Sequence, residues 1–314
     1  MSEVLYHRMD NGGYLETSDS LIVSNLTQTS WGQRYPYNTK FPISPIYYSG
    51  YNQPPTGCVA VAVSQLLYYL FTQKNLSMGI YMDVSMDGTY SGPSFSPSLT
   101  KDQYVMNPPY WGGVSLYSTV ENSGTQRVQD VMLVVGEGVH MIYNVRWGSS
   151  NIIHARSYLS SIGISSTLMS YDFQVVVSEL MDGFPIYIRA YDPIEETGHA
   201  WLVDGYGKTI VNYYLEYIWE TVDPSDPDFD YESGDLYLSE EEAEELGIYD
   251  GMTDVVNTGR SVSDYLLMNL GWNGLGKTTK YYEPQASAYW DVFDSYNYVD
   301  DIMILCNYNF PERD

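Results

Sequence analysis

The sequence predicts an α+β protein, with a helical lobe over about residues 1–184 and a lobe of antiparallel sheet over about residues 185–314. Three observations carry this reading. Apolar residues recur at helical spacing in four segments, all of them before residue 184. Beyond that point the period falls to two, in runs rich in aromatic and β-branched residues. Hydrophobic residues make up 44% of the 314, enough for a sizeable core, yet no window nears eighteen uninterrupted apolar residues. A membrane-inserted protein is therefore not expected.

Residues 1–53 are punctuated by Asn, Gly, Ser and Pro and read as loop-rich. A first helix is expected from Cys58 to Thr72. Pro54 and Pro55 stop anything earlier, Thr56 can cap it, and its apolar residues run nearly all round, as in a buried helix. Residues 76–122 are dense in Gly, Pro, Ser and Tyr and read as loops with short strands. Three more helical patterns follow: Val128 to Val135 ended by Gly136, Ala155 to Ile162 ended by Gly163, and Asp172 to Leu180 ended by Gly183. Strands are expected at Pro185–Tyr191, His199–Tyr206, Ile210–Val222, Tyr265–Leu270, Thr278–Tyr282, Ala286–Asp294 and Asp301–Tyr308. No internal repeat is present, and a single catalytic domain over residues 1–314 is expected.

Fourteen basic residues stand against 40 acidic ones, a net charge of −26. Phosphate binding needs Lys and Arg, so nucleic acid and anionic membrane surfaces are poor partners, and neither nucleic-acid binding nor membrane insertion is expected. Residues 209–259 hold 15 Asp or Glu and no Lys or Arg. This acidic insertion reads as a solvated surface loop with one short helix, where Ser239 and Glu242 match a capping box. It is no calcium loop of the EF-hand type: counted from Asp226, the required Gly and Glu positions hold Tyr231 and Tyr237.

Two cysteines and four histidines leave few candidates for catalysis. Cys58 falls at a helix N-terminus, where a thiolate is stabilised. Gly57 before it lets a neighbouring backbone or a substrate come close. Cys306, within Met303-Ile304-Leu305-Cys306, reads as a small buried hydrophobe, and a bridge between the two is not expected. His199 opens the apolar strand after Gly198, either as a polar strand-end residue or as a base for Cys58. The 141 residues separating it from Cys58 fit the interval between cysteine and histidine in thiol proteases. His140 reads as an ordinary strand residue, His154 as a helix-start residue, and His7 as part of an N-terminal arm. To orient the imidazole a third group must accept from its second nitrogen. Asn269, alone among Leu and Met, is the first choice. Asp204 is its rival, and also reads as a plain turn residue before Gly205.

Three segments, Thr56-Gly57-Cys58-Val59-Ala60, Gly198 to Gly205 and Asn269-Leu270-Gly271-Trp272, together resemble the streptopain family of bacterial cysteine proteases. A fourth, Trp31-Gly32-Gln33-Arg34-Tyr35-Pro36-Tyr37-Asn38, is similar to the family's Gln-x-x-Pro-Tyr-Asn segment, and all four stand in family order. The resemblance implies a papain-like fold and a cysteine endopeptidase. It makes Cys58 the nucleophile, His199 the base, Asn269 the orienting residue, and Gln33 an oxyanion donor beside the Cys58 N–H. Gly57, Gly198 and Trp272 are expected to face substrate. No metal or cofactor is implied. The partners implied are protein or peptide substrates, and an inhibitory propeptide or inhibitor protein. Family members are exported zymogens. Met1 to His7 lacks a signal-peptide pattern, and the segment ahead of Trp31 is short, so the chain is expected to match a mature catalytic unit or a member regulated otherwise. Two departures stand out. Leu270 replaces the tryptophan that usually shields the His–Asn bond, and the acidic insertion lengthens the connection between the His and Asn strands. They keep two alternatives open: an amidase or transglutaminase, and an exported binding protein on the same fold.

Overall fold

The computed structural model describes residues 5–44, 50, 52–87, 94–105, 111–226, 236–274, 277, 280–282, 291–292, 296–297 and 300–312. Among the described residues the helices are α1 Cys58–Gln73, α2 Ser123–Gly138, α3 Ile152–Ser161, α4 Phe173–Met181 and α5 Glu240–Leu246. The strands are β1 Leu5–Val23, β2 Ile80–Asp87, β3 Ser94–Phe95, β4 Ser98–Val105, β5 Ile142–Asn144, β6 Gly148–Ser149, β7 Ser165–Ser170, β8 Ile186–Asp192, β9 Thr197–Val222, β10 Leu236–Ser239, β11 Thr253–Asn269, β12 Lys280–Tyr282, β13 Asp291–Val292, β14 Tyr296–Asn297 and β15 Asp300–Asn309. They fall into two compact units, one of residues 21–207 and 265–314, the other of residues 1–20 and 208–264.

The larger unit is built on an antiparallel sheet buried on both faces. β8 pairs with β9, Ile186 opposite Val203 and Tyr191 opposite Gly198, and β15 pairs with both β8 and β7. Period-two alternation divides the side chains. Tyr187, Ala200, Leu202 and Leu305 point into a core built around α1, with α2 and α3 contributing Val131, Leu133 and Ala155. Ile186, Ile188, Ala190, Trp201, Val203 and Ile304 point into a second core, closed by Val176 and Leu180 of α4 and by Leu266, Met268 and Leu270. Helix α1 is buried from Val59 to Leu67 and again from Tyr69 to Phe71, as its all-round apolar sequence requires. The expected Thr56 cap is absent. Gly57 is the N-cap, no side chain caps the helix, and the buried Thr56 hydroxyl has no partner among the described residues. The other helices have side-chain caps: Asn122, Asn151 and Asp172 cap α2, α3 and α4 through their side-chain oxygens, Asp172 at the start expected for α4.

In the smaller unit, β1 pairs with β10, Leu5 opposite Ser239 and Arg8 opposite Leu236. Of its described hydrophobic residues only Trp219 and Ala243 are buried. Backbone pairing and ring contacts do much of the rest: His7 stacks on Tyr237 at 4.4 Å, Tyr14 on Tyr214 at 5.1 Å, and the Arg8 guanidinium sits 3.8 Å over the Tyr217 ring. Two expectations are corrected here. Residues 5–23 form a strand of 19 residues rather than loops. The acidic stretch is mostly strand, in β9, β10 and β11, with the short helix α5 capped by Ser239 and Glu242 as the capping box implies. The expected strands 199–206 and 210–222 are one continuous strand. Most of the strand expected at 286–294, and the acidic residues Asp228, Asp230 and Glu232, lie outside the described residues.

Candidate active site

The chain from Trp31 to Phe41 is pinned onto the larger unit before it reaches the site. Trp31 is fully buried, and its indole N–H donates to the Ser115 carbonyl at 2.6 Å. The Asn38 amide donates to the Pro54 carbonyl at 2.9 Å, and Gln129 donates to that of Pro36 at 2.6 Å. Arg34 donates to the carbonyls of Gln53, Val145 and Arg146, each at 3.1 Å. Gln33, between these anchors, accepts from the Thr56 N–H at 2.8 Å through its own carbonyl. That bond ties its strand of chain to the residues leading into α1.

Gly57 adopts φ +83° and ψ 140°, a region all but closed to other residues. A Cβ here would lie 2.0 Å from Met141 Cε and 3.5 Å from the Gly148 carbonyl carbon. Of the two roles expected for Gly57, the close approach of neighbouring chain is the one seen. It is not among the residues lining the cleft.

That cleft has a volume of about 790 Å³, and Gln33, Cys58, Gly198, His199 and Trp272 all line it. Cys58 is partly exposed, and both cysteines are free thiols. Burial of the sulphur raises the thiol pKa, while the N–H groups of Ala200, Val59 and Cys58 itself pull it down. The helix N-terminus thus acts in the direction the sequence implies, but desolvation is the larger effect. His199 is buried, 5% exposed, and burial lowers its imidazole pKa to about 4. Both shifts favour the uncharged pair.

The His199 Nε2 lies 2.9 Å from the Leu270 carbonyl oxygen. A carbonyl only accepts, so Nε2 carries the proton and Nδ1 keeps the lone pair. The Asn269 side chain does not reach the imidazole. Its Nδ2 donates to Thr27 Oγ1 at 3.0 Å and to the Thr29 carbonyl at 2.7 Å, and its buried Oδ1 has no partner among the described residues. Asp204 is also away from the ring, with Asn25 and Thr27 donating to its carboxylate. Cys58, His199, Gln33, Gly198 and Trp272 are thus brought together, and Asn269 stands one residue aside. Two indoles pack on the imidazole, Trp272 at 4.9 Å and Trp201 at 5.5 Å between ring centroids. They give the imidazole an aromatic cover beside the aliphatic Leu270.

Sequence reasoning missed the Leu270 carbonyl, which no side-chain pattern can announce. It also missed Trp201, whose signal was its place two residues after His199 on one strand. His140 is corrected: it sits at φ 53° in the turn after α2, not in a strand. His154 lies in the first turn of α3, and His7 in β1. Among the described residues no cluster of three His, Cys, Asp or Glu is placed to hold a metal ion, and no helix is long and apolar enough to cross a membrane.

A core helix that starts at a thiol, packed on an antiparallel sheet with a histidine at the head of one strand, defines the papain-like class of cysteine peptidases. Two solved structures share this fold. Active wild-type interpain A, a cysteine protease of Prevotella intermedia, aligns with TM-score 0.53 and 18% identity, covering 90% of this chain and 93% of that one. A prointerpain A fragment from the same organism aligns with TM-score 0.53 and 17% identity, covering 93% of this chain and 73% of that one. No curated protein matches the chain. The peptidase C10 family matches residues 31–221, and the chain belongs to that family, the streptopain family. It is a cysteine-type peptidase.

Proposed function

We propose that the protein is an endopeptidase in which Cys58 attacks the scissile carbonyl of a protein or peptide substrate. His199 takes the thiol proton on Nδ1 and returns it to the leaving amine. The acyl-enzyme formed on Cys58 is then released by water, with His199 again acting as base. Gln33 and the Cys58 N–H bind the oxyanion of the tetrahedral intermediate. Because burial favours the uncharged pair, proton transfer from sulphur to nitrogen accompanies attack rather than preceding it. The Leu270 carbonyl holds the ring and stabilises the imidazolium as it forms, while Asn269 fixes the chain around that carbonyl.

The observation that carries the reading is the shared cleft of Cys58 and His199, with Nε2 committed to Leu270 so that Nδ1 is the basic nitrogen. Family membership supports an exported bacterial enzyme, and the pro-form among the similar structures supports synthesis as a zymogen with an inhibitory propeptide. The test is casein hydrolysis together with labelling by a thiol-reactive epoxide. Cys58→Ala and His199→Ala are each expected to abolish hydrolysis, and Cys58→Ala to abolish labelling, with folding intact by circular dichroism. Casein hydrolysis persisting in Cys58→Ala refutes the proposal. Amine transfer to a glutamine peptide without hydrolysis makes the protein a transglutaminase instead.

A further inference from the structure

Beneath the site lies a buried chain of hydrogen bonds that joins the three elements supplying the site. Asp204, five residues along the strand from His199, is fully buried. Its Oδ1 accepts from Asn25 Nδ2 at 2.9 Å, its Oδ2 accepts from the Thr27 hydroxyl, and its carbonyl accepts from the Leu26 N–H at 2.7 Å. The Thr27 hydroxyl has one proton, which is committed to Asp204, so toward Asn269 it accepts. The Asn269 amide can face only one way, because the Thr29 carbonyl beside it offers no proton. The bonds therefore run in one direction, from the Asn269 amide to the Thr27 hydroxyl to the Asp204 carboxylate. The segment is braced twice more. Lys277 Nζ donates to the carbonyls of Thr27 at 2.6 Å and Thr29 at 2.9 Å. Thr29 Oγ1 donates to Gln65 Oε1 at 3.0 Å, on the helix that begins at Cys58.

We propose that Asp204 is a positioning residue of the peptidase site, acting through Thr27 and Asn269 to aim the Leu270 carbonyl at His199. The inference rests on the peptidase reading above. The mechanical argument is short. The carbonyl that holds the imidazole belongs to the residue directly after Asn269. Its direction is set on one side by the clamped Asn269 side chain, and on the other by Gly271, which turns the chain at φ +70°. Releasing the Asn269 amide frees the first of these constraints. Asp204 also accounts for the Thr27 hydroxyl: without an acidic acceptor, that proton has nowhere to go in a buried site.

The test separates positioning from plain stability. Thr27→Val removes the hydroxyl at nearly constant shape, and Thr27→Ser keeps it. For Thr27→Val we expect kcat to fall roughly 10- to 100-fold with KM within about twofold, the cost of a misaimed base. Thr27→Ser should recover most of the loss. Leu180→Ala, which truncates the core under α4 and touches none of these bonds, should lower the melting temperature with kcat unchanged. Should Thr27→Val fail to fold, Asp204→Asn takes its place. It leaves one acceptor oxygen for two donors, Asn25 and Thr27, and the same fall in kcat is expected. Cys58→Ala and His199→Ala are run beside them. If both are inactive while the folded Thr27 or Asp204 variant keeps the wild-type kcat, the positioning role is overturned and the peptidase reading stands. If His199→Ala retains activity, the peptidase reading itself fails.

Discussion

Replacing Asp204 by asparagine should change how stability responds to pH, by an amount that follows from its burial. Burial raises the Asp204 carboxyl from 3.8 to about 6, against the opposing pull of the Thr27 and Asn25 hydrogen bonds and the Lys277 charge. Between those values the folded protein holds a proton that the unfolded chain has released. Asp204 therefore imposes no penalty below about pH 4 and an increasing one as pH rises through 6, reaching about 3 kcal/mol at 1.36 kcal/mol per pH unit. His199 works in the opposite direction. Burial lowers it from 6.5 to about 4, so the folded protein has lost a proton that the unfolded chain keeps. Its contribution is intact above pH 6.5 and is lost as pH falls toward 4, again by about 3 kcal/mol. The assay is urea unfolding at several pH values from about 4 to 7, in a Cys58→Ala background that prevents self-digestion. Relative to its parent, Asp204→Asn should gain about 3 kcal/mol as pH rises across this range, on top of a constant loss from its altered hydrogen bonds. His199→Gln should gain about as much as pH falls. Stability curves that run parallel to the parent's would refute the argument that these two buried groups titrate in opposition.

Three further outcomes are expected. Gln33→Ala should lower kcat on a fluorogenic peptide by roughly 10²- to 10³-fold with little change in KM, because the oxyanion exists only along the reaction path; a change confined to KM would make Gln33 a substrate-binding residue. Gly57→Ala should destabilise the fold by about 1–3 kcal/mol in chemical denaturation, the cost of forcing a Cβ into its backbone conformation, and a wild-type midpoint would contradict that. Asn269→Ala should retain more activity than His199→Ala in the same peptide assay, since it loosens the support of the imidazole without removing it; equal loss would give Asn269 a direct part in the chemistry.

Helices α1 to α4 were legible because α2 to α4 carry apolar residues at a 3.6-residue period and α1 is apolar nearly all round. Cys58 and His199 stood out as candidates because so few residues of either type exist and each sits at the start of an apolar element, and both line one cleft. Strand β1 was hidden for the converse reason: its central residues are exposed on both faces, so no alternation marks them. The break expected between residues 206 and 210, around Gly207, is absent, because β9 runs through it. Thr56 has the right side chain in the right place for a cap, but the tight approach of Met141 and Gly148 gives that position to Gly57. Asn269 was correctly singled out as a polar residue needing partners, and the partners proved to be Thr27 and Thr29, some 240 residues earlier. Nothing local in a sequence reports contacts at that separation.

The imidazole is held by a main-chain oxygen, and this changes how the site can vary. Substitution at residue 270 exchanges a side chain and leaves the carbonyl in place, so the side chain there can vary without removing the acceptor. An alanine scan would pass over the group that holds the imidazole, because no genetic change deletes a carbonyl. Only its aim can be altered, through the residues on either side, or its strength, by replacing the following amide with an ester in a semisynthetic protein. Inheritance of such a feature is tied to the backbone path, which can persist while the side chains along it drift.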